Sequence, residues 1–193
     1  MNVTTLSSAE LASELLAPPH RPASPHLPCA CTVAPAYHPT ATEHPELEHK
    51  LQVARELLLR HMQAKMVGTP IMNAPQIVKE WLCLYCAGLE HEVFLILYLN
   101  ARHALIEAEE LFRGTLTQTS VYPREVVKGA LARNAAAVVL AHNHPSGDTA
   151  PSRADELLTQ SLKSSLMLVD VQVIDHFIVG GDRAISFAEK GLL

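Results

Sequence analysis

The chain has 193 residues, 48% of them hydrophobic, enough for one domain with a sizeable core and some extra length. A formal charge of −5 argues against a broad basic face for duplex DNA, and no apolar run approaches the length that crosses a bilayer. Cys29, Cys31, Cys83 and Cys86 are too few for a disulfide scaffold, and residues 1–20 lack the basic start and apolar centre of a secretory leader, so reduced thiols and a cytoplasmic location are expected.

Residues 1–45 are dense in Pro and His and keep no steady period. Proline removes backbone donors and restricts its neighbours, so a disordered, linker-like tail is expected, preceded by a short helix over "SSAELASELL" with a Ser cap. Residues 46–69 form a lead-in, in which Leu47, Leu51, Ala54, Leu58 and Met62 recur at helical spacing and predict an amphipathic helix with those residues inward. "MVGTPIMNAP" breaks it, and Asn73 and Pro75 suit the cap and first turn of a helix over "PQIVKEWLCLYCAGL". "EVFLILYLN" is apolar at alternate and intervening positions alike and reads as a central strand covered on both faces. A turn near residues 101–103 returns the chain as a second strand. "YPREVVKGALARN" is a helix with a Val126, Val127, Ala130 and Leu131 stripe, and "AAAVVLAHNH" is a strand. A helix follows over "APSRADELLTQSLKSSLMLV", then two strands joined by a Gly-Gly turn. The order β-β-α-β-α-β-β predicts an α/β domain with a mixed β-sheet and flanking helices.

The chemistry concentrates where "AAAVVLAHNH" ends. Residues two apart on a strand point the same way, so His142 and His144 can reach one ion. Ser152 follows after seven intervening residues and Asp155 after two more, in the first turns of the next helix. Two imidazoles and one carboxylate make three protein ligands, the usual set for a catalytic zinc that keeps a place for water. "S-x-x-D" also reads as a helix cap. Asn143 faces the other side and is not expected to ligate. His176 reads as a hydrogen-bonded structural histidine, with an approach to the metal as the alternative. Cys83 and Cys86 read as core packing rather than a second zinc site, and Cys29 and Cys31 fall in the tail.

The run H142-N-H-P-S-G-D-T-A-P-S152-R-A-D155 resembles the JAMM motif of the MPN metalloprotease fold. "ELFRGTL", "VYPREVVKGALARNAAAVVLAHNHPSGD", "VDVQVIDHFIVG" and "SFAEKGLL" together are similar to the RadC family, so residues 70–193 are identified as a RadC-like MPN domain. The resemblance implies an MPN/JAMM architecture, which is cytidine-deaminase-like. It implies one Zn2+ ion on His142, His144 and Asp155, and hydrolysis of a peptide or isopeptide bond in a protein or peptide substrate by a zinc-activated water. It implies an upstream glutamate as general base, for which Glu92 fits best and Glu90, Glu109 and Glu110 stand behind it, and Ser152 as donor to the oxyanion. The helix-hairpin-helix region of longer RadC proteins has no counterpart in residues 1–45, so strong direct binding of duplex DNA is not expected. The rival reading is a non-proteolytic accessory protein of DNA repair or recombination, with a repair or replication partner.

Overall fold

Residues 2–18, 45–73, 75–114 and 121–193 are described in the computed structural model of the protein. They divide into two compact units, residues 1–61 and 62–193. Most of the expected tail, with Cys29 and Cys31, lies outside the described residues. No helix among the described residues is long and apolar enough to cross a membrane.

In the first unit, helix α1 (Ser8–Leu16) starts on the expected serine cap. Ser7 Oγ accepts from the Glu10 N–H and the Glu10 carboxylate accepts from the Ser7 N–H, satisfying two donors that a helix start leaves free. Helix α2 (Pro45–Met66) forms where expected but turns the other way. Leu47, Leu51 and Leu58 are exposed, and Val53 and Met66 are the buried residues. The face beside Val53 meets the N-terminal segment through polar groups: His49 bonds Glu14, Lys50 donates to the carbonyls of Leu15 and Ala17, and Arg60 donates to those of Leu6 and Thr4. Orphan carbonyls at the end of α1 attract a cation, and that attraction sets the orientation against the leucine stripe.

The second unit is built on a five-stranded sheet of order β2-β1-β3-β4-β5. The strands are β1 (Val93–Leu99), β2 (Leu105–Arg113), β3 (Ala137–Asn143), β4 (Gln172–Gly180) and β5 (Arg183–Ser186). Helix α3 (Pro75–Cys86) precedes the sheet, α4 (Pro123–Ala132) joins β2 to β3, and α5 (Arg153–Met167) joins β3 to β4. The β3–β4 pair is parallel and every other pair is antiparallel, so the sheet is mixed and the fold is α/β, as the sequence predicts. A parallel neighbour requires a crossover, and α5 supplies it. Strand β1 is buried at every position. One face, through Phe94, Ile96, Tyr98, Val138 and Leu140, packs on Val126 and Ala130 of α4 and on Leu162 and Leu166 of α5. Helix α3, with Val78, Trp81 and Leu82 buried, lies against β4 and β5.

The element ends depart from expectation in small ways. Helix α3 stops at Cys86, because Gly88 takes a positive φ of 76°. Leu131 is exposed rather than part of the α4 stripe. The last turn uses Gly181 and Asp182, with Gly180 still inside β4. Cys83 and Cys86 are free thiols, the latter buried, and burial pushes the Cys83 thiol up.

Three strand irregularities decide which side chains face which way. Strand β2 carries two residues that β1 does not match, Leu111 and Ile106, and β4 carries one that β3 does not match, Ile174. An unmatched residue is absorbed as a bulge, and each bulge resets the alternation of faces beyond it. After Ile174, Asp175 stands opposite Val139 and His176 opposite Leu140, so His176 joins the face that bears His142.

Candidate metal centre

Among the described residues, His142, His144 and Asp155 bring ligating atoms within 4.8 Å of one another. His142 sits near the end of β3 and His144 one residue past it, held in line by its N–H to the Val179 carbonyl at 2.8 Å. The chain then turns through Pro145–Asp148 and enters α5 on Ser152. Asp155 is the third residue of that helix. Its side chain closes a capping box: Oδ2 accepts from the Ser152 N–H at 2.8 Å and from Ser152 Oγ at 2.6 Å, while Ser152 Oγ accepts from the Asp155 N–H at 3.1 Å. The cap reading and the ligand reading of "S-x-x-D" are therefore the same geometry. The cap occupies Oδ2 and leaves Oδ1 aimed at His142 Nε2, 3.3 Å away.

Burial works against the Asp155 charge. It is outweighed by His142 and by the hydroxyl and backbone N–H of Ser152, which hold the carboxyl well below the usual carboxylate range. His176 is fully buried, and desolvation pushes its imidazole well below the ordinary histidine value, so it is neutral. Its two nitrogens are both engaged, Nε2 with His142 Nδ1 at 2.9 Å and Nδ1 with Thr159 Oγ1 at 2.6 Å. His176 is thus hydrogen-bonded at both nitrogens, as a structural histidine is, and one of its partners is a candidate ligand, as the alternative reading had it.

The donor set fits a cation. His144 Nδ1 lies 2.7 Å from the Asp148 carbonyl, which only accepts, so Nδ1 carries a proton and Nε2 is the nitrogen left to face the site. His142 uses Nδ1 on His176 and turns Nε2 inward, 3.0 Å from His144 Nε2. Two imidazole nitrogens and a carboxylate oxygen thus converge on one point. Such a set favours a positive charge among its members.

Glu92 lies immediately before β1. The Gly114 N–H donates to its carbonyl at 2.8 Å, extending the β1–β2 ladder, and the β1–β3 register, continued two residues past its last pair at Phe94 and His142, brings Glu92 level with His144. Two residues on, the Phe94 ring stacks on His142 with centroids 6.2 Å apart. Asn143 pins the backbone on both sides of Glu92: Oδ1 accepts from the Val93 N–H at 2.7 Å and Nδ2 donates to the His91 carbonyl at 3.0 Å. The other glutamates go elsewhere. Glu90 is exposed in the turn before β1. Glu109 accepts from Tyr98 Oη and pairs with Arg133, opposite Ile96. Glu110 pairs with Leu95, on the opposite face from Phe94 and His142, and accepts from Tyr85 of α3.

Thr159 and the Asp148 carbonyl are absent from the sequence reading, which set Asn143 on the other face but gave it no role. Thr159 had one visible signal, its position four residues after Asp155, where a threonine hydroxyl can bond back to the helix carbonyl.

Residues 72–192 match the family described as RadC-like JAB domain. The chain is 57% identical over 149 residues to a UPF0758 protein of Leptothrix cholodnii, covering 77% of this chain and 67% of that one. It is 57% identical over 148 residues to one of Methylibium petroleiphilum, covering 77% and 65%. It is 61% identical over 145 residues to one of Aromatoleum aromaticum, covering 75% and 64%. The chain spans about two thirds of the length of these curated relatives. Domain match, identity and the arrangement of the sheet agree: the chain belongs to the RadC family.

Proposed function

We propose that this chain is a zinc-dependent hydrolase of the JAMM/MPN type, a metallopeptidase that cleaves a peptide or isopeptide amide in a protein or peptide substrate. One observation carries the reading: three potential ligand atoms, His142 Nε2, His144 Nε2 and Asp155 Oδ1, converge, the first standing 3.0 Å from the second and 3.3 Å from the third. These atoms would hold the ion. Nitrogen and carboxylate donors in a set of three suit zinc with an open position. When bound, zinc supplies Lewis acidity and lowers the pKa of a bound water towards neutrality.

The chain's own groups do the rest. Glu92, opposite His144 in the register, accepts the proton of the attacking water at its carboxylate and passes it to the leaving amine. Asn143 keeps that segment from drifting by holding the backbone on either side. Ser152 turns its hydroxyl from Asp155 Oδ2 to the developing oxyanion, and Oδ2 keeps the Ser152 N–H as its partner. Beside His144 a crevice of about 190 Å³, lined in part by Gly88, Leu89, Asn143 and Pro145, offers room for a residue flanking the cleaved bond.

The test is metal analysis of the purified chain beside two variants. Wild type and Glu92→Gln carry one zinc each, and His142→Ala/His144→Ala carries none. In a proteome-derived peptide and protein library, wild type generates cleavage products that Glu92→Gln does not. Stoichiometric zinc in the double variant overturns the site. Steeply salt-dependent duplex binding without metal-dependent cleavage favours the accessory role in DNA repair instead.

A further inference from the structure

We infer that Thr159, acting through the buried His176, is a positioning residue that fixes which nitrogen of His142 is bare and so makes it a ligand. The inference rests on the metal-site reading above. It follows from a chain of hydrogen bonds whose directions are forced one after another.

The Asp155 carbonyl can only accept, and Thr159 Oγ1 stands 2.6 Å from it. The single hydroxyl proton of Thr159 is therefore spent there. Towards His176 Nδ1, also at 2.6 Å, the hydroxyl oxygen must accept, so the His176 proton is on Nδ1. His176 is fully buried and, among the described residues, no carboxylate pairs with its ring, so the ring carries that one proton and its Nε2 is bare. That nitrogen accepts from His142 Nδ1 at 2.9 Å. His142 then carries a proton on Nδ1, so Nε2 is the nitrogen it offers to an ion beside Asp155 Oδ1 and His144. Both ends of the relay lie on Asp155: its backbone carbonyl starts the sequence, and its carboxylate stands beside the nitrogen that the sequence prepares. One ring of contacts thus ties the α5 backbone, β4 and β3 to a single protonation pattern.

Without the Thr159 hydroxyl, the His176 Nδ1–H loses its buried acceptor. The favoured arrangement moves the proton to His176 Nε2, which then donates to His142 Nδ1. His142 must in turn carry its proton on Nε2, where it faces the ion.

The experiment uses the full chain with Thr159→Val, close in shape but lacking the hydroxyl, and Thr159→Ser, which restores it. Zinc affinity is read by competition with a chromophoric chelator. Side-chain tautomers are read from imidazole ¹⁵N shifts of the chelator-treated protein at mildly alkaline pH. Thr159→Val is expected to bind zinc about 10–100-fold more weakly, the range for loss of an outer partner of a ligating histidine. Thr159→Ser is expected to return to within a few-fold of wild type. Wild-type His142 should show a protonated Nδ1, and Thr159→Val a protonated Nε2. Wild-type affinity in a folded Thr159→Val overturns the inference. If that variant does not fold, the wild-type tautomer decides: a proton on His142 Nε2 overturns it and a proton on Nδ1 upholds it. A wild-type chain that binds no zinc sinks the metal-site reading, while the tautomers still decide the relay.

Discussion

Asn143 shows what a residue between two ligands can do. Alternation along β3 sends it to the face away from His142 and His144, and there its amide bridges the His91 carbonyl and the Val93 N–H. Asn143→Ala leaves the buried Val93 N–H without its acceptor, a loss of about 1–3 kcal/mol in urea unfolding. Asn143→Asp keeps an acceptor for Val93 but sets a second oxygen against the His91 carbonyl, so this variant should weaken further as pH rises through the carboxylate range. At this scale the sequence was legible where spacing alone does the work. The interval from His142 to Asp155 lies within one strand, one loop and one helix start, so local geometry fixes it. Asn143 and Thr159 were not legible, because their partners at Val93 and His176 arrive through strand pairing across long stretches of chain. Glu92 fell between these cases, since the family resemblance singled it out while its place level with His144 comes only from continuing the β1–β3 register.

Elements position the ligands as much as residues do. The turn after β3 passes so close to β4 that a Cβ on Gly180 would run into the Gly147 carbonyl and the Thr149 side chain. The next carbonyl after Gly147, that of Asp148, orients His144. Gly180→Ala should therefore act twice: about 1–3 kcal/mol of stability lost to overpacking, and a weaker zinc titration because the Asp148 carbonyl is displaced. Unchanged zinc affinity would show that the turn yields without disturbing His144. Element types were readable from period and punctuation, but orientation was less so. The leucine stripe of α2 has the right spacing for a buried face, yet carbonyls at the end of α1 draw Lys50 inward and leave Leu47 and Leu51 exposed. Likewise, nothing in "ALIEAEELFR" announces the two unmatched residues that decide which of Glu109 and Glu110, opposite by alternation, stands beside Ile96.

Across the second unit, the site adds side-chain links among the end of β3, the start of α5 and, through His176, the middle of β4, the strand that pairs with β3. An ion that binds only the folded unit adds stability by mass action, about 2.7 kcal/mol at a free concentration one hundred times its dissociation constant. Chelation should lower the melting temperature, and zinc should restore it in wild type but not in Asp155→Asn. The metal-free protein has its own acid limit. The folded Asp155 carboxyl titrates below its ordinary value of 3.8, so near that pH the folded state binds fewer protons than the unfolded chain. Its contribution is complete above the ordinary value and is lost as pH falls towards the folded one. A melting-temperature profile of chelated wild type should bend downward in acid more than that of Asp155→Asn. The mixed sheet was legible as a class, because apolar runs and helical stripes alternate in an order that demands both hairpins and a crossover. The unmatched Ile174 in β4 has a further meaning for how such a chain can change in length. Loss of that one residue would leave Val173 and Asp175 facing their present partners, and the frame of the site intact. Loss of a residue between Asp175 and Gly180 would put the following side chains out of phase with β3. Strand β4 thus carries one position at which a deletion is absorbed, just ahead of the histidine whose facing the site depends on.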